Sequence, residues 1–226
     1  MPAAAFFDLD RTLIQRSAVL ALAPAFRARG LISRRQLATS ALRQVLFIVR
    51  GVGGEAVRKA SEDGMRILAG LPVAELHALV AAELEPVLRP LVYAEPLALV
   101  RAHRERGEAV YVVSASLQEI VEDLAAELGL DGAIGSTCEI VDGVYTGRSL
   151  RGAHGEGKAA AVRELAAREG IDLAASTAYS DSHTDLPFLE AVGHPIAVNP
   201  DRRLRRLAGE RGWPILEFSE RVGVAA

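Results

Sequence analysis

The sequence contains one cysteine among its 226 residues, Cys138. A single cysteine cannot form a disulfide within the chain, which is typical of proteins from reducing compartments. The N-terminus shows no basic segment followed by a long apolar stretch, so no signal peptide is expected. The longest apolar stretch, QVLFIVRGVGG, is interrupted by Arg50 and falls short of the roughly 20 residues of a membrane helix. We therefore expect a soluble, cytoplasmic protein without an integral membrane segment.

The sequence is also poor in lysine and has little excess charge. Lys59 and Lys158 are its only lysines, and the formal net charge of -3 gives no indication of a nucleic-acid partner. Hydrophobic residues make up 50% and charged residues 24% of the chain, an ordinary globular composition that allows a sizeable core. Because lysine is scarce, a lysine inside a motif is more informative than usual.

Short apolar segments alternate with segments of helical spacing over most of the chain. Buried strands are predicted at 3–9, 108–116, 174–181 and 193–199. Helices are predicted at 95–106, 117–128, 156–169 and 184–192. Gly107 and Gly170 end two of these helices as C-caps would. The alternation predicts an α/β fold with a parallel sheet that is covered by helices on both faces.

Two segments depart from this alternation. Residues 17–90 hold stretches of helical spacing without a clear strand, at 17–30, 33–51, 54–70 and 72–88. This block follows the first strand directly, and we interpret it as an inserted, all-helical subdomain. The segment 138–147 has two β-like arms around Asp142 and Gly143, a pattern that predicts a hairpin.

Polar side chains follow the predicted strands at the edge where open parallel sheets bind ligands. They are Asp8, Asp10 and Thr12 after the first strand, Ser114 in the second, Asp181 and Asp185 after the third, and Lys158 near the start of a helix. Carboxylates that converge there would repel one another, and they suit the hard cation Mg²⁺. A lysine and hydroxyl groups beside the metal would hold a phosphoryl group, whose transfer depends on charge stabilisation.

Four motifs stand in a characteristic order: DLDRT (8–12), VVS (112–114), GK (157–158) and SDSHTD (180–185). With this order and spacing the sequence resembles the haloacid dehalogenase superfamily of hydrolases, in the branch (subfamily IB) that contains phosphoserine phosphatases. The resemblance extends over essentially the whole chain. It implies a Rossmann-like three-layer core formed by residues 1–15 and 91–226, a helical cap at 16–90 and a β-hairpin within the core at 137–147.

The resemblance also implies a role for each motif residue. Asp8 corresponds to the nucleophile that forms an aspartyl-phosphate, and Asp10 to the acid and base. The positions that bind the phosphoryl group are Thr12, Ser114, Ala115 and Lys158. The metal positions are Asp8, Asp181 and Asp10, the last through its backbone carbonyl. Asp185 is expected close by, as a ligand through water or as the partner of Lys158.

Plainer interpretations exist for several of these residues. Asp181 and Asp185 could be helix-capping acids, Thr12 could cap the segment that follows it, and Lys158 could be a solvated helix lysine. His183 lies between the two acids of the last motif, but the family gives that position no ligand role. We expect His183 to be a surface or loop residue.

Some residues depart from the phosphoserine phosphatase pattern. Ser17 stands about where those enzymes carry an acid for the substrate amine, and Ala115 and Ser116 replace two glycines. Thr184 replaces an asparagine, and Arg11 replaces a common glycine and adds a positive charge near the cleft mouth. These departures leave the phosphoryl chemistry intact and weaken phosphoserine as the substrate.

The sequence therefore predicts a Mg²⁺-dependent phosphomonoester hydrolase that acts on a small phosphorylated metabolite. The apolar segment 41–52 either belongs to the core of the cap or lines a pocket for a more hydrophobic monoester, such as a lysophospholipid. Two further hypotheses are a phosphotransferase on the same core and a non-catalytic phosphate-binding protein. The protein could be a monomer or a dimer.

Overall fold

The computed structural model describes residues 1–31 and 64–222. Within them the strands are β1 (Ala4–Phe7), β2 (Ala109–Leu117), β3 (Gly132–Val141), β4 (Val144–Arg151), β5 (Thr177–Ser180), β6 (His194–Val198) and β7 (Ile215–Leu216). The α-helices are α1 (Ala18–Ala28), α2 (Val73–Glu83), α3 (Ala94–Glu105), α4 (Gln118–Glu127), α5 (Glu156–Glu169), α6 (Leu186–Leu189) and α7 (Arg202–Arg211). In the described part of the chain no helix is long and apolar enough to cross a membrane.

The strands form one sheet in the order β4-β3-β2-β1-β5-β6-β7. Each neighbouring pair is parallel except β3 and β4, which are antiparallel. The chain builds outward from β1 on one side through β2 and β3, and then returns to build the other side from β5. The point where the direction reverses lies between β1 and β5, and such a point opens a ligand-binding crevice at the carboxyl ends of the strands.

The central strand β1 is buried on both faces. Its four residues AAFF are all inaccessible to solvent. Phe7 belongs to one apolar cluster and Phe6 to a second, because successive side chains of a strand point to opposite faces. A near-continuous apolar run therefore becomes the centre of a three-layer sandwich, which confirms the predicted α/β fold.

The predicted helices of the α/β part are confirmed within a few residues, whereas three features differ from the predictions. The antiparallel hairpin extends from Thr137 to Arg151 and not only over the predicted 137–147, and strand β3 itself begins at Gly132 because its first part pairs in parallel with β2. Helix α7 and the two-residue strand β7 were not predicted. The hairpin turn itself is confirmed: Asp142 and Gly143 have φ values of 50° and 76°, the left-handed conformation that a tight hairpin turn requires.

The described parts of the predicted helical block are helical. Helix α1 follows the first strand, and α2 continues through a π-turn (Leu84–Leu88) and a 3₁₀ turn (Arg89–Leu91) to the start of α3. Tyr145 of β4 donates its N–H to the carbonyl of Leu71, which joins the hairpin to this block. The predicted helix at 33–51, most of that at 54–70 and the apolar segment 41–52 lie outside the described residues. The division into core and cap stays a prediction.

Candidate active site

The ends of β1 and β5 bring two predicted site residues to neighbouring positions. Phe7 is the last residue of β1 and pairs with Tyr179 of β5. Asp8, which follows, donates its backbone N–H to the carbonyl of Tyr179 at 2.9 Å. Asp181 follows the last residue of β5. Both carboxylates therefore lie in the crevice between the two halves of the sheet, where ligands bind in this class of fold.

Lys158 joins two of the predicted acids in a buried cluster. Its Nζ donates to Asp8 Oδ1 at 2.5 Å and to Asp185 Oδ2 at 2.6 Å, and Ser180 Oγ donates to the same Asp185 oxygen at 2.8 Å. The Lys158 side chain is only 2% exposed, so it is not a solvated helix lysine. Asp185 stands at the N-cap position of α6 without capping it through its side chain. The structure thus makes Asp185 the partner of Lys158.

Burial and crowding shape the electrostatics of this cluster. Burial raises the pKa of Asp8 to about 7 against the opposing effect of Lys158, and Asp185 and Asp10 raise it further. Burial and the neighbouring Asp8 raise the pKa of Asp181 well above its usual value. For Lys158, burial lowers the pKa, but the attraction of Asp185 and Asp8 outweighs burial and the pKa is raised. The cluster holds more negative than positive charge.

Asp10 points toward the start of the first helix. Its Oδ1 accepts the backbone N–H of Ala18 at 2.9 Å, and the Ser17 side chain also hydrogen-bonds to it. Burial raises the pKa of Asp10, while the Ala18 N–H lowers it. Ser17 therefore holds the predicted acid and base in place, at the position where phosphoserine phosphatases were expected to carry a substrate-binding acid.

The other predicted phosphate-binding positions lie in the loop after β1 (Thr12) and in β2 (Ser114 and Ala115). Thr12 is fully buried, and among the described residues its Oγ1 has no hydrogen-bond partner, so it does not cap the segment that follows it. Ser114 is buried and its Oγ accepts the N–H of Ser116 at 3.1 Å. Ala115 is exposed, and its carbonyl accepts a bond from Ser136 Oγ at 2.8 Å. A shift in register between β2 and β3 frees this segment from the regular ladder.

A family model described as haloacid dehalogenase-like hydrolase matches residues 5–190, a range that holds all these positions. The chain belongs to the haloacid dehalogenase-like hydrolase family. Over 221 residues it is 45% identical to a probable phosphatase of Mycobacterium tuberculosis (98% of this chain, 77% of the relative). It is 38% identical to the phosphoserine phosphatase SerB1 of the same organism (99% of this chain, 75% of the relative).

Solved structures agree with the fold of this haloacid dehalogenase-like hydrolase. A protein from Bordetella pertussis Tohama I is 30% identical, with a TM-score of 0.81 over 96% of this chain and 98% of that one. A phosphoserine phosphatase described as a phospho-aspartyl intermediate analogue is 18% identical, with a TM-score of 0.69 over 98% of this chain and 95% of that one. The resemblance that the motifs indicate is confirmed for the family and for the fold.

The donor set of the hydrolase fits a hard divalent cation. Asp8 and Asp181 offer carboxylate oxygens in a crevice with excess negative charge, and the Asp10 carbonyl follows in the same loop. Within residues 1–31 and 64–222 no three Asp, Glu, His or Cys side chains are grouped as metal ligands. The proposed ligands are two carboxylates and one backbone carbonyl, so they would not form a group of three acidic side chains. The Asp10 side chain is not among them, because it accepts the N–H of Ala18. All-oxygen donors are those that Mg²⁺ prefers.

The structure adds Asp201 and Asn199, which the motifs did not reveal, and gives a partner to Arg11, which was expected near the cleft mouth. Arg11 Nη1 lies 3.1 Å from Asp181 Oδ2. Asp201 donates its N–H to the Asp181 carbonyl at 2.8 Å and accepts from the His183 ring at 2.7 Å. Asn199 donates to the Arg11 carbonyl at 3.4 Å. His183 therefore lies in the predicted loop but is mostly buried against Asp201. An acid before a helical pattern, as in DRRLRRLAGERG, was a cap signal that could have identified Asp201.

Proposed function

We propose that the protein is a Mg²⁺-dependent phosphomonoester hydrolase that works through an aspartyl-phosphate on Asp8. The observation that carries the proposal is the buried contact of Lys158 with both Asp8 and Asp185 at the end of the central strand. A lysine so placed can neutralise a phosphoryl oxygen beside a carboxylate nucleophile. The relatives that are named phosphatases support the same reaction class.

The chain's own residues account for both halves of the reaction. A lone pair of the Asp8 carboxylate attacks phosphorus, the bond to the ester oxygen breaks with its electron pair, and Asp10 gives that oxygen a proton. Water then attacks the phosphorus of the aspartyl-phosphate, and Asp10 takes up its proton. The Asp8–phosphorus bond breaks, which returns the carboxylate and releases inorganic phosphate. Ser114, the Ala115 backbone and Lys158 hold the phosphoryl oxygens throughout.

The metal would be held by the Asp8 and Asp181 carboxylates and the Asp10 carbonyl. When bound it would supply positive charge that reduces the repulsion between the phosphoryl group and the carboxylate nucleophile. Asp201 and His183 would support it indirectly, because their bonds fix the loop that carries Asp181. Removal of the metal should therefore abolish turnover.

The proposed substrate is a small phosphorylated metabolite other than a close copy of phosphoserine. Ser17 has no carboxylate to offer a substrate amine, and its hydroxyl is engaged with Asp10. We propose that residues 16–90 form the cap that selects the leaving group, which places specificity outside the four motifs. A phosphotransferase would use the same residues, and analysis of products with and without an added acceptor alcohol distinguishes the two.

Phosphate release from a panel of monoesters tests the proposal. The panel holds phosphoserine, phosphohistidinol, sugar phosphates, nucleotides, phosphocholine and lysophosphatidate, each with Mg²⁺ and with EDTA. We expect metal-dependent release from at least one ester, and its loss by at least about 10³-fold in Asp8→Asn. Asp142→Asn is the matched control, because Asp142 is an exposed acid at the hairpin turn. Wild-type activity in Asp8→Asn would refute the covalent route.

A further inference from the structure

Arg11 places a guanidinium group directly on the carboxylate that follows β5. Its Nη1 lies 3.1 Å from Asp181 Oδ2, and the side chains of Arg11 and Asp181 are 39% and 9% exposed. The cation therefore reaches inward from the mouth of the crevice onto a buried acid. An ion pair that is buried at one end is screened less by water than a pair on the open surface.

The backbone of Arg11 adopts a conformation that suits a glycine. Its φ is +64°, and a residue with a Cβ atom adopts this conformation at a cost of about 1 kcal/mol. Asn199 holds the turn, since its Nδ2 donates to the Arg11 carbonyl while its Oδ1 accepts the N–H of Phe218 at 2.8 Å. A long cationic side chain at a strained, fixed position indicates a function for that side chain.

Lys158 and Arg11 pair with different carboxylates of the crevice. Lys158 is bound to Asp8 and Asp185. Within the described residues, the ion pair of Asp181 is the one with Arg11. Asp181 is also one of the two carboxylates that we propose as metal ligands. The Arg11 guanidinium is therefore bound to an oxygen atom that a metal would need.

We propose that Arg11 is an internal counterion that competes with the divalent metal for Asp181. The inference rests on the proposed function, because it requires Asp181 to bind the metal. Metal binding would then displace the Arg11 guanidinium toward the mouth of the crevice, and by linkage each cation weakens the binding of the other by the same factor. The Asp181 carboxylate would then keep a counterion without metal, at the expense of metal affinity.

Calorimetric titration of the full chain with MgCl₂, at fixed pH and ionic strength, tests the competition without any turnover. Arg11→Gln and Arg11→Gly should both bind Mg²⁺ about three- to tenfold more tightly than wild type, since a partly buried ion pair no longer opposes the metal. Arg11→Gly suits the positive φ and keeps the test valid if glutamine disturbs the turn. Arg101→Gln, an equal charge change at an exposed position of α3, should change affinity less than twofold.

A second measurement observes the arginine itself. The Arg11 Nε–Hε resonance in a ¹H–¹⁵N spectrum, assigned by its absence from Arg11→Gln, should shift on saturation with Mg²⁺. It should not shift with KCl at the same ionic strength. If the chemical shift of this resonance does not change with Mg²⁺, the guanidinium does not leave Asp181 and the proposed competition is wrong.

Asp181→Asn distinguishes failure of this inference from failure of the proposed function. Equal or weaker Mg²⁺ binding in both Arg11 variants, with binding lost in Asp181→Asn, would overturn the competition and leave the proposed metal site intact. Undiminished Mg²⁺ binding in Asp181→Asn would overturn both, because Asp181 would then not be a ligand.

Discussion

At the scale of single residues, Lys158 is the side chain on which the site depends most. It is buried and its charge is balanced by Asp8 and Asp185. We expect Lys158→Met to lower the free energy of unfolding by about 3 kcal/mol, because two buried carboxylates lose their partner. Urea denaturation with EDTA present measures the change. Arg163→Met, an exposed cation of the same helix paired with exposed Glu156, should cost less than about 1 kcal/mol.

Equal costs for the two variants would mean that the buried pair contributes no more than a surface pair. Phosphate release gives an independent result for the same variants. We expect Lys158→Met to lose activity even at temperatures where it is fully folded, whereas Arg163→Met keeps it. The difference would separate the charge of Lys158 at the reacting group from its contribution to folding.

Single residues also show how far sequence could predict the site. The proximity of Asp8, Lys158 and Asp185 was predictable, because each follows a strand or begins a helix at one edge of the sheet. The Arg11–Asp181 pair was not, although Arg11 was expected near the cleft. Its partner lies 170 positions along the chain, and the two sides are held separately: Asn199 bonds to the Arg11 turn and Asp201 to the loop of Asp181. Side-chain direction in such loops depends on packing that no local pattern records.

At the scale of elements, two glycines determine where the first turn of α5, which carries Lys158, lies. Gly155 at the N-cap has a φ of +52°. A Cβ atom at Gly157 would come 2.2 Å from the carbonyl oxygen of Gly152, so the helix start lies against the preceding loop. The GK motif is therefore a packing requirement: only a residue without a side chain allows the lysine to begin its helix there.

Gly157→Ala should accordingly destabilise the protein by about 2 kcal/mol and lower kcat at saturating substrate, because the clash displaces the turn that carries Lys158. Gly209→Ala is the matched control in the interior of α7, where an added Cβ has no neighbour within 4 Å. That change should stabilise the protein by about 0.5–1 kcal/mol. Thermal unfolding and kcat, measured for both variants and for wild type, test these two expectations. A neutral Gly157→Ala would show that the loop yields at little cost.

Most elements that lie between clear turn signals were predicted, whereas the ten-residue helix α7 and the short or composite strands were not. The five-residue strand β6 and the 14-residue helix α5 have clear apolar patterns. The first part of β3 contains Gly132 and Gly135, which obscure a strand, yet Gly135 is needed because a Cβ there would come 2.5 Å from Gln118. Strand β7 has two residues, too few for any pattern, and pairing with β6 alone defines it.

At the scale of the whole molecule, an aromatic and polar column connects the helical layer to the central strand β1. The Nε2 atom of His103, in α3, lies 2.7 Å from the hydroxyl oxygen of Tyr179. Tyr179 in turn stacks on Phe7 with ring centroids 4.1 Å apart. Phe7 precedes Asp8 directly. The column links α3, β5 and β1, so a charge that appears on His103 acts on the stability of the whole fold.

Burial lowers the pKa of His103, with Arg106 acting in the same direction and the Glu108 hydrogen bond opposing both. Below a pH of about 6.5 the histidine is protonated in the unfolded chain, whereas in the folded chain it stays neutral until the pH reaches its lowered pKa. The free energy of unfolding therefore falls as the pH decreases from about 6.5 to the pKa of the folded state. One proton gives at most about 1.4 kcal/mol per pH unit. We expect His103→Gln to remove this part of the decline between pH 7.5 and 5.5.

The measurement is urea denaturation of both proteins at pH 7.5, 6.5 and 5.5 with EDTA present, so that the carboxylates of the crevice contribute equally to each. Glu108, whose pKa is lowered by Arg106 and His103 against the effect of burial, loses its contribution only as the pH falls below about 4.5, outside this range. The difference between wild type and His103→Gln therefore isolates the histidine. Parallel stability curves would mean that His103 takes up its proton in the folded state as readily as in the unfolded chain, and that burial beneath Tyr179 is relieved by Glu108.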